Sequence, residues 1–390
     1  MPSDLKSRLN RLKSASASRT PPPPPPALIV REARFPADDA LFSLDARALA
    51  RIGLSEAFLP EKALFLDTET TGLSGGTGTV AFLAGLGRIE GRELIVRQYL
   101  MPSYAAEHQL MEAIAKEAAL CDTVITFNGK SFDIPLLESR FVMCRMKSPF
   151  GAMRHLDLIH PARRTWKMRL KDCSLSNLEE KVLSLHRERD LSGSEVPARY
   201  FDFLKTGDFR LLEDVIDHNR QDIVSLSGLL VRLSGVYAAP AVQTNMLDVF
   251  SAGRALEKQG DADEARTCYR RAAQAVPLTD LSRLREARCT PLAKKSLSLM
   301  LRREGDIEGA RELWLDMISH RQGGTFPFIE LAKLSEHHDR DCRTALSYTR
   351  QALQCATDAD ERAELLHRAE RLMRRIEKDT LNTSNTSQED

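Results

Sequence analysis

The stretch Phe65-Leu66-Asp67-Thr68-Glu69-Thr70-Thr71-Gly72-Leu73 decides how this chain is read. It closes a short apolar run, Ala63–Leu66, that suits a buried strand, and it sets two carboxylates at the end of that strand. Alternate residues of a strand project from one face, so Asp67 and Glu69 point into one pocket. Like charges that close repel one another, and a shared divalent cation is the common remedy. Donors that are all oxygen suit Mg2+ or Mn2+ better than zinc.

Outward from this stretch the pattern is mixed α/β. Gly72 to Gly78 is glycine-rich and predicts a turn. Val80–Gly87 and Leu94–Leu100, joined through Gly91, predict a hairpin. Helices are expected over 105–120, over 132–143 with Pro135 in the first turn, and over 211–233. Thr123–Phe127 and the segment from His155 read as further strands. Strands followed by alternating helices and strands predict a mixed sheet flanked by helices.

Two more acids fall at telling places. Thr126-Phe127-Asn128-Gly129-Lys130-Ser131-Phe132-Asp133 runs from a strand into a turn, and Asp133 opens a helix. Alone, Asp133 is equally a first-turn acid favoured by the helix dipole. In Asp217-His218-Asn219-Arg220-Gln221-Asp222, His218 and Asp222 are four residues apart on one helical face. They border the apolar stripe of Ile216, Ile223, Leu226 and Leu230, while Asn219 is expected to face elsewhere.

The 390 residues carry 56 Lys and Arg against 55 Asp and Glu, a net charge of +1. Contacts with nucleic acid must therefore come from local patches. One such patch is Arg140 to Lys171, where nine Lys and Arg meet a single acid, Asp157. Arg163, Arg164, Lys167, Arg169 and Lys171 suit phosphates, and Trp166 and Phe150 suit stacking on unpaired bases. An ordinary solvated face has the same composition. Asn128 and Lys130 are expected to touch a terminal nucleotide, and His155 and Asp157 to be structural. Seven scattered cysteines without a CxxC pair predict reduced thiols in a cytoplasmic protein. No apolar run approaches a membrane span, and no secretory leader is visible.

In order and spacing, the strings around Asp67, Asp133 and Asp222 resemble the three motifs of the DEDD 3′→5′ exonuclease superfamily, which has a ribonuclease H-like fold. Thr70 to Thr79 followed by Phe82-Leu83-Ala84-Gly85-Leu86-Gly87 looks more specifically like the YprB-type ribonuclease H-like proteins. The resemblance covers roughly residues 60–233. It implies a two-metal site of Asp67, Glu69, Asp133 and Asp222, holding Mg2+ or Mn2+ for an in-line phosphoryl displacement on single-stranded DNA or RNA. It implies that His218 accepts a proton. One departure stands out: His218 precedes Asp222 by four residues, the spacing of that superfamily's tyrosine branch, whereas its histidine branch uses five.

The expected organisation is a basic and proline-rich disordered tail (1–26), a connecting segment (27–59), the exonuclease domain (60–235), helical repeats (245–376) and a polar disordered tail (377–390). Aligning Ala265, Ala310 and Ala345 brings Gly260-Asp-Ala-Asp-Glu-Ala-Arg over Gly305-Asp-Ile-Glu-Gly-Ala-Arg. Gly253, Ala265, Tyr269, Ala272 and Pro277 fit the small, small, aromatic, small and proline positions of a tetratricopeptide unit. Such repeats imply a protein partner, and leave a second reading open: an adaptor with a weak nuclease-like domain.

Overall fold

The computed structural model describes residues 26–54, 58–72, 78–187, 191, 193–274 and 284–386. The expected N-terminal tail through residue 25, the centre of the Gly72–Gly78 turn, Pro277 and residues 387–390 lie outside them.

Six strands form one sheet: β1 (Ile29–Pro36), β2 (Ala63–Thr70), β3 (Ala81–Glu90), β4 (Glu93–Leu100), β5 (Thr123–Thr126) and β6 (Arg154–Asp157). Their order is β1-β4-β3-β2-β5-β6. The first four pair antiparallel, and β5 and β6 join parallel to β2. Hydrophobic runs produce the central strands: β2 begins with four buried residues and β3 with seven. Helices of eight or more residues are α1 (Glu107–Ala118), α2 (Asp133–Met143), α3 (Ile159–Leu170), α4 (Val196–Thr206) and α5 (Glu213–Ala238). Then follow α6 (Met246–Lys258), α7 (Ala262–Ala273), α8 (Cys289–Glu304), α9 (Ile307–Ser319), α10 (Phe326–His337), α11 (Cys342–Cys355) and α12 (Ala359–Thr386). A mixed sheet with flanking helices is thus followed by a helix-rich C-terminal region, as the sequence predicts. No helix among the described residues is long and apolar enough to cross a membrane.

Two compact units divide the chain. The first holds the chain up to Asp39 with Leu59–Asp157 and Arg187–Ser227; the second holds Ala40–Phe58, Leu158–His186 and the chain from Gly228. These limits differ from the sequence reading. The segment 27–59 is no mere connector: its first part is edge strand β1, paired to β4 from Ile29↔Leu100 to Pro36↔Glu93. Charged residues on the open face of β1 hid it, since such charges are what protects an edge. Residues 158–186 group with the helical unit rather than with the sheet. The expected polar tail is helical through Thr386, as the end of α12.

In the first unit, the core is built by Leu64, Leu66, Phe82, Leu110, Val124 and Phe141 with their neighbours. The Tyr200 ring stacks on Phe82 at 4.0 Å between centroids, and its hydroxyl donates to the Met101 carbonyl at 3.1 Å. In the second unit, consecutive helices pack on one another, and Ala265, Ala310 and Ala345 are fully buried where they do so. Buried Arg51 pairs with Asp261 and Glu264 and donates to the Tyr237 carbonyl at 2.7 Å. This pairing holds 40–58 within the helical unit.

Gly87 sets how near α5 comes to the sheet. A Cβ there would stand 2.5 Å from Ile223 Cγ2 and 3.3 Å from the Phe65 Cβ. Overpacking of this kind costs about 1–3 kcal/mol. Gly87→Ala is therefore expected to lower the unfolding free energy by that amount and the urea midpoint with it, and an unchanged midpoint would show that the helix has room to spare.

Candidate functional site

Asp67 and Glu69 leave β2 where its burial fades, on one face of the strand. Asp67 lies opposite Gly85 of β3, and Gly85 lies opposite Gln98 of β4. The missing side chain at Gly85 is filled from above by Asn219 of α5, whose Oδ1 would be 2.2 Å from a Cβ there. Asn219 spans the glycine. Its Nδ2 donates to Asp67 Oδ2 at 2.8 Å, and its Oδ1 accepts from Gln98 Nε2 at 2.9 Å. Gln98 also donates to the Ile216 carbonyl at 2.8 Å, which fixes the same turn of helix. The sequence reading set Asn219 on a different face from His218 and gave it no role; it is fully buried and faces the sheet. The glycine gap opposite was the signal that could have shown this.

Asp133, the first residue of α2, accepts from Thr68 through both its backbone nitrogen (3.1 Å) and its hydroxyl (2.6 Å). The residue between the two β2 acids therefore holds the third. Asp222 of α5 is 8% exposed and completes the group. Asp67 and Glu69 feel the other two acids. Burial, then Asp222, Asp133 and Glu69, hold Asp67 well above the usual carboxylate range, against the bond from Asn219. Burial, then Asp222 and Asp133, push Glu69 up to about 8. Burial lifts Asp133 to about 6 despite its bonds from Thr68.

A cation that no motif announced sits among them. Arg187 forms a close ion pair with Asp222 and donates to His218 Nδ1 at 2.7 Å. The Asp222 carboxylate is thus engaged by a guanidinium. Among the described residues, no three His, Cys, Asp or Glu side chains are gathered closely enough to hold an ion as they stand. His218 Nε2 lies 3.5 Å from Asp222 Oδ2. With Nδ1 accepting from Arg187, a neutral ring carries its proton on Nε2 and has no free acceptor.

Asp157, 2% exposed, braces the neighbouring loop. Its oxygens accept from the backbone nitrogens of Asn128 (2.6 Å) and Lys130 (3.0 Å), while Asn128 adopts a left-handed φ of 66°. This is the structural role expected of Asp157. His155 Nε2 is 2.8 Å from the Thr126 hydroxyl. Lys130 is exposed, and so is Phe132, at 52%.

Of the other expected nucleic-acid contacts, Phe150 lies in the first unit and the rest in the second, and not all are available. Trp166 and Phe150 are 1% and 5% exposed, so neither offers a face to a base; aromatic rings among cations belong here to the core. Arg169 is spent on Asp248 at 2.9 Å. Arg163, Arg164, Lys167 and Lys171 are exposed.

Residues 64–234 match the RNase H superfamily. The protein YprB of Bacillus subtilis (strain 168) is 31% identical over 323 residues, spanning 80% of this chain and 74% of its own. The chain belongs to that family. Among solved structures, the family B DNA polymerase of the archaeon Pyrobaculum calidifontis is similar over 53% of this chain, with 15% identity and a TM-score of 0.35. The match spans 30% of the polymerase. Members of the RNase H superfamily carry a nuclease or related nucleic-acid function on this fold, and the acids described here lie within the matched residues.

His155 gives a pH test independent of the acids. Burial, then Lys130, lowers its pKa to about 4, against an effect of Asp157. An unfolded imidazole takes its proton near ~6.5. The neutral ring thus contributes stability that is complete above pH ~6.5 and is lost as pH falls through about 4. In urea titrations at pH 7 and pH 4.5, His155→Gln is expected to lose less stability on acidification than wild type. Equal losses would remove His155 from the account.

Proposed function

We propose that the first unit is a DEDD-type 3′→5′ exonuclease acting on single-stranded nucleic acid. Asp67, Glu69, Asp133 and Asp222 would hold two Mg2+ or Mn2+ ions. The observation that carries this reading is the pair Asp67 and Glu69, raised above the usual carboxylate range by burial and then by the charges of Asp222 and Asp133, with Asp133 itself raised by burial. All-oxygen donors at a cost in repulsion fit hard dications. When bound, the ions neutralise charge on the attacking and leaving oxygens and lower the pKa of water.

The chain's own residues do the rest. Asn219 fixes the Asp67 rotamer, and Thr68 fixes that of Asp133. The Asn128–Lys130 loop, braced by Asp157, offers the Asn128 side-chain amide and the Lys130 ammonium to the terminal phosphates. The exposed Phe132 ring, next to Asp133, takes the stacking part first expected of Trp166. His218 accepts the proton of the attacking water once Arg187 withdraws from Nδ1. Arg187 thus stands in for a cation at Asp222 until the site is loaded. The superfamily match supports nuclease chemistry; polarity and strand preference are part of the proposal.

A second reading is favoured by the same Arg187 contact. An acid site closed by its own arginine suits an adaptor, with the C-terminal helices as tetratricopeptide-like repeats recruiting a protein partner. Labelled single-stranded DNA and RNA with Mn2+ separate the two. Wild type is expected to shorten strands from the 3′ end, EDTA to stop it, and Asp67→Ala to reduce it to the no-enzyme rate. Equal inertness of wild type and variant on every strand would leave the adaptor.

Arg187→Gln tests the stand-in directly. In EDTA it takes the guanidinium from Asp222, which costs roughly 3–5 kcal/mol for a buried pair. Calorimetric titration should then show tighter Mn2+ binding than in wild type, because no guanidinium competes. Unchanged affinity would mean that Arg187 is a structural pair only.

A further inference from the structure

The second unit contains a pocket of about 390 Å³ walled by α3 and α6. Arg163, Arg164 and Lys167 line one side, and Arg254 and Lys258 the other. Ser251 and Ala255 are buried beneath them, with Met168 alongside. We infer that this pocket is a binding site for the phosphates of a single nucleic-acid strand, gripped without regard to sequence. The inference rests on the nuclease reading of the first unit for its choice of ligand.

Three observations converge. First, none of the five cations forms an ion pair with any described residue, Arg254 feeling the charge of Glu257 three residues on, and among the described residues no acid lines the pocket. Elsewhere in the same helices charge is matched, as in Arg169 with Asp248. Arg163 with Lys167 and Arg254 with Lys258 are spaced four apart, so each pair repels on one helical face. Two repelling pairs facing one pocket are tolerable where an anion sits between them. In a chain with a net charge of only +1, that concentration is local.

Second, Ser251 is 4% exposed and its hydroxyl has no hydrogen-bond partner among the described residues. A buried donor left unmade costs about 1–3 kcal/mol. It lines the same pocket, where a phosphate oxygen would accept its proton. Guanidinium forks match phosphate oxygens in geometry, and ammonium groups add point charge.

Third, the lining fixes what is read. Among the described residues, no aromatic ring, Asn or Gln lines the pocket, so none of them there stacks on a base or reads its edge. A volume of 390 Å³ is many times that of one water, ~30 Å³, and admits a sugar-phosphate unit rather than a bare ion alone. Backbone phosphates of a strand satisfy all three conditions. The sequence pointed to Arg163, Arg164 and Lys167; the opposite wall and the Ser251 floor come from the fold.

The test uses the full chain in EDTA, so binding is read without hydrolysis. Anisotropy of a labelled single strand is followed against KCl for wild type, Arg254→Gln/Lys258→Gln and Ser251→Ala. Both exchanged cations are exposed, and matching melting curves check that the fold is kept. The double variant is expected to bind about tenfold more weakly, with a log-log salt slope shallower by about 1.4 for two lost single-strand phosphate contacts. Ser251→Ala should weaken binding while leaving the slope unchanged, since it removes a donor but no charge. Wild-type affinity and slope in the double variant would overturn the pocket, as would binding to anionic vesicles with none to strands. Weakened binding in the double variant beside a hydrolytically inert wild type would sink the nuclease reading and leave the pocket standing. Intact hydrolysis beside unchanged binding would do the reverse.

Discussion

The first unit is organised around the cost of burying four carboxylates together. No apolar core gains from Asp67, Glu69, Asp133 and Asp222; burial, and then the charges of Asp222 and Asp133, raise Asp67 and Glu69, and burial raises Asp133. The surrounding structure bears that cost in three ways. Thr68 gives Asp133 two donors, Asn219 gives Asp67 one, and Arg187 lends Asp222 a positive charge. The glycines of β3 make the second possible, since any Cβ at Gly85 would occupy the place of the Asn219 amide. A row of atoms from Asp67 through Asn219 to Gln98 thereby ties β2, β4 and α5 together over a strand that contributes only backbone.

Much of this was legible. Buried apolar runs mark β2 to β5 because a strand covered on both faces has no alternative composition, and the spacing of Asp67 and Glu69 gives their shared face directly. Asp133 and Asp222 are ambiguous alone and become readable through order. Other parts were illegible for physical reasons. Strand β1 carries charges because it is an edge, so it does not look like its neighbours. Asn219 was misplaced because a helical wheel counts angles but not the gap that a glycine opens across from it. Arg187 lies 35 residues before Asp222, in no motif, and only the fold brings it there. Trp166 misled in the opposite direction: cations surround it in sequence, yet its ring is core.

The helical unit shows the same tension with a different sign. Its small residues Ala265, Ala310 and Ala345 let helices close on one another, as repeat spacing suggests. Its cations divide into two populations. Arg51 and Arg169 are consumed in buried or half-buried pairs that hold the unit together. Those on the facing sides of α3 and α6 form no ion pair with any described residue, which leaves their charge available to something outside the chain.

The Arg51 contact has a consequence for how the protein is made. Its partner Asp261 comes 210 residues later in the chain. At roughly 5–20 residues per second of synthesis, Arg51 waits on the order of ten to forty seconds for its counter-charge to emerge. Through that interval almost the whole sheet has been translated, while the segment that interrupts it, Ala40–Phe58, still belongs to a unit that does not yet exist. The nascent chain must carry this segment as an unfilled loop between β1 and β2. A gene fragment ending before α7 would leave it so permanently, with a guanidinium made for burial and nothing to bury it against.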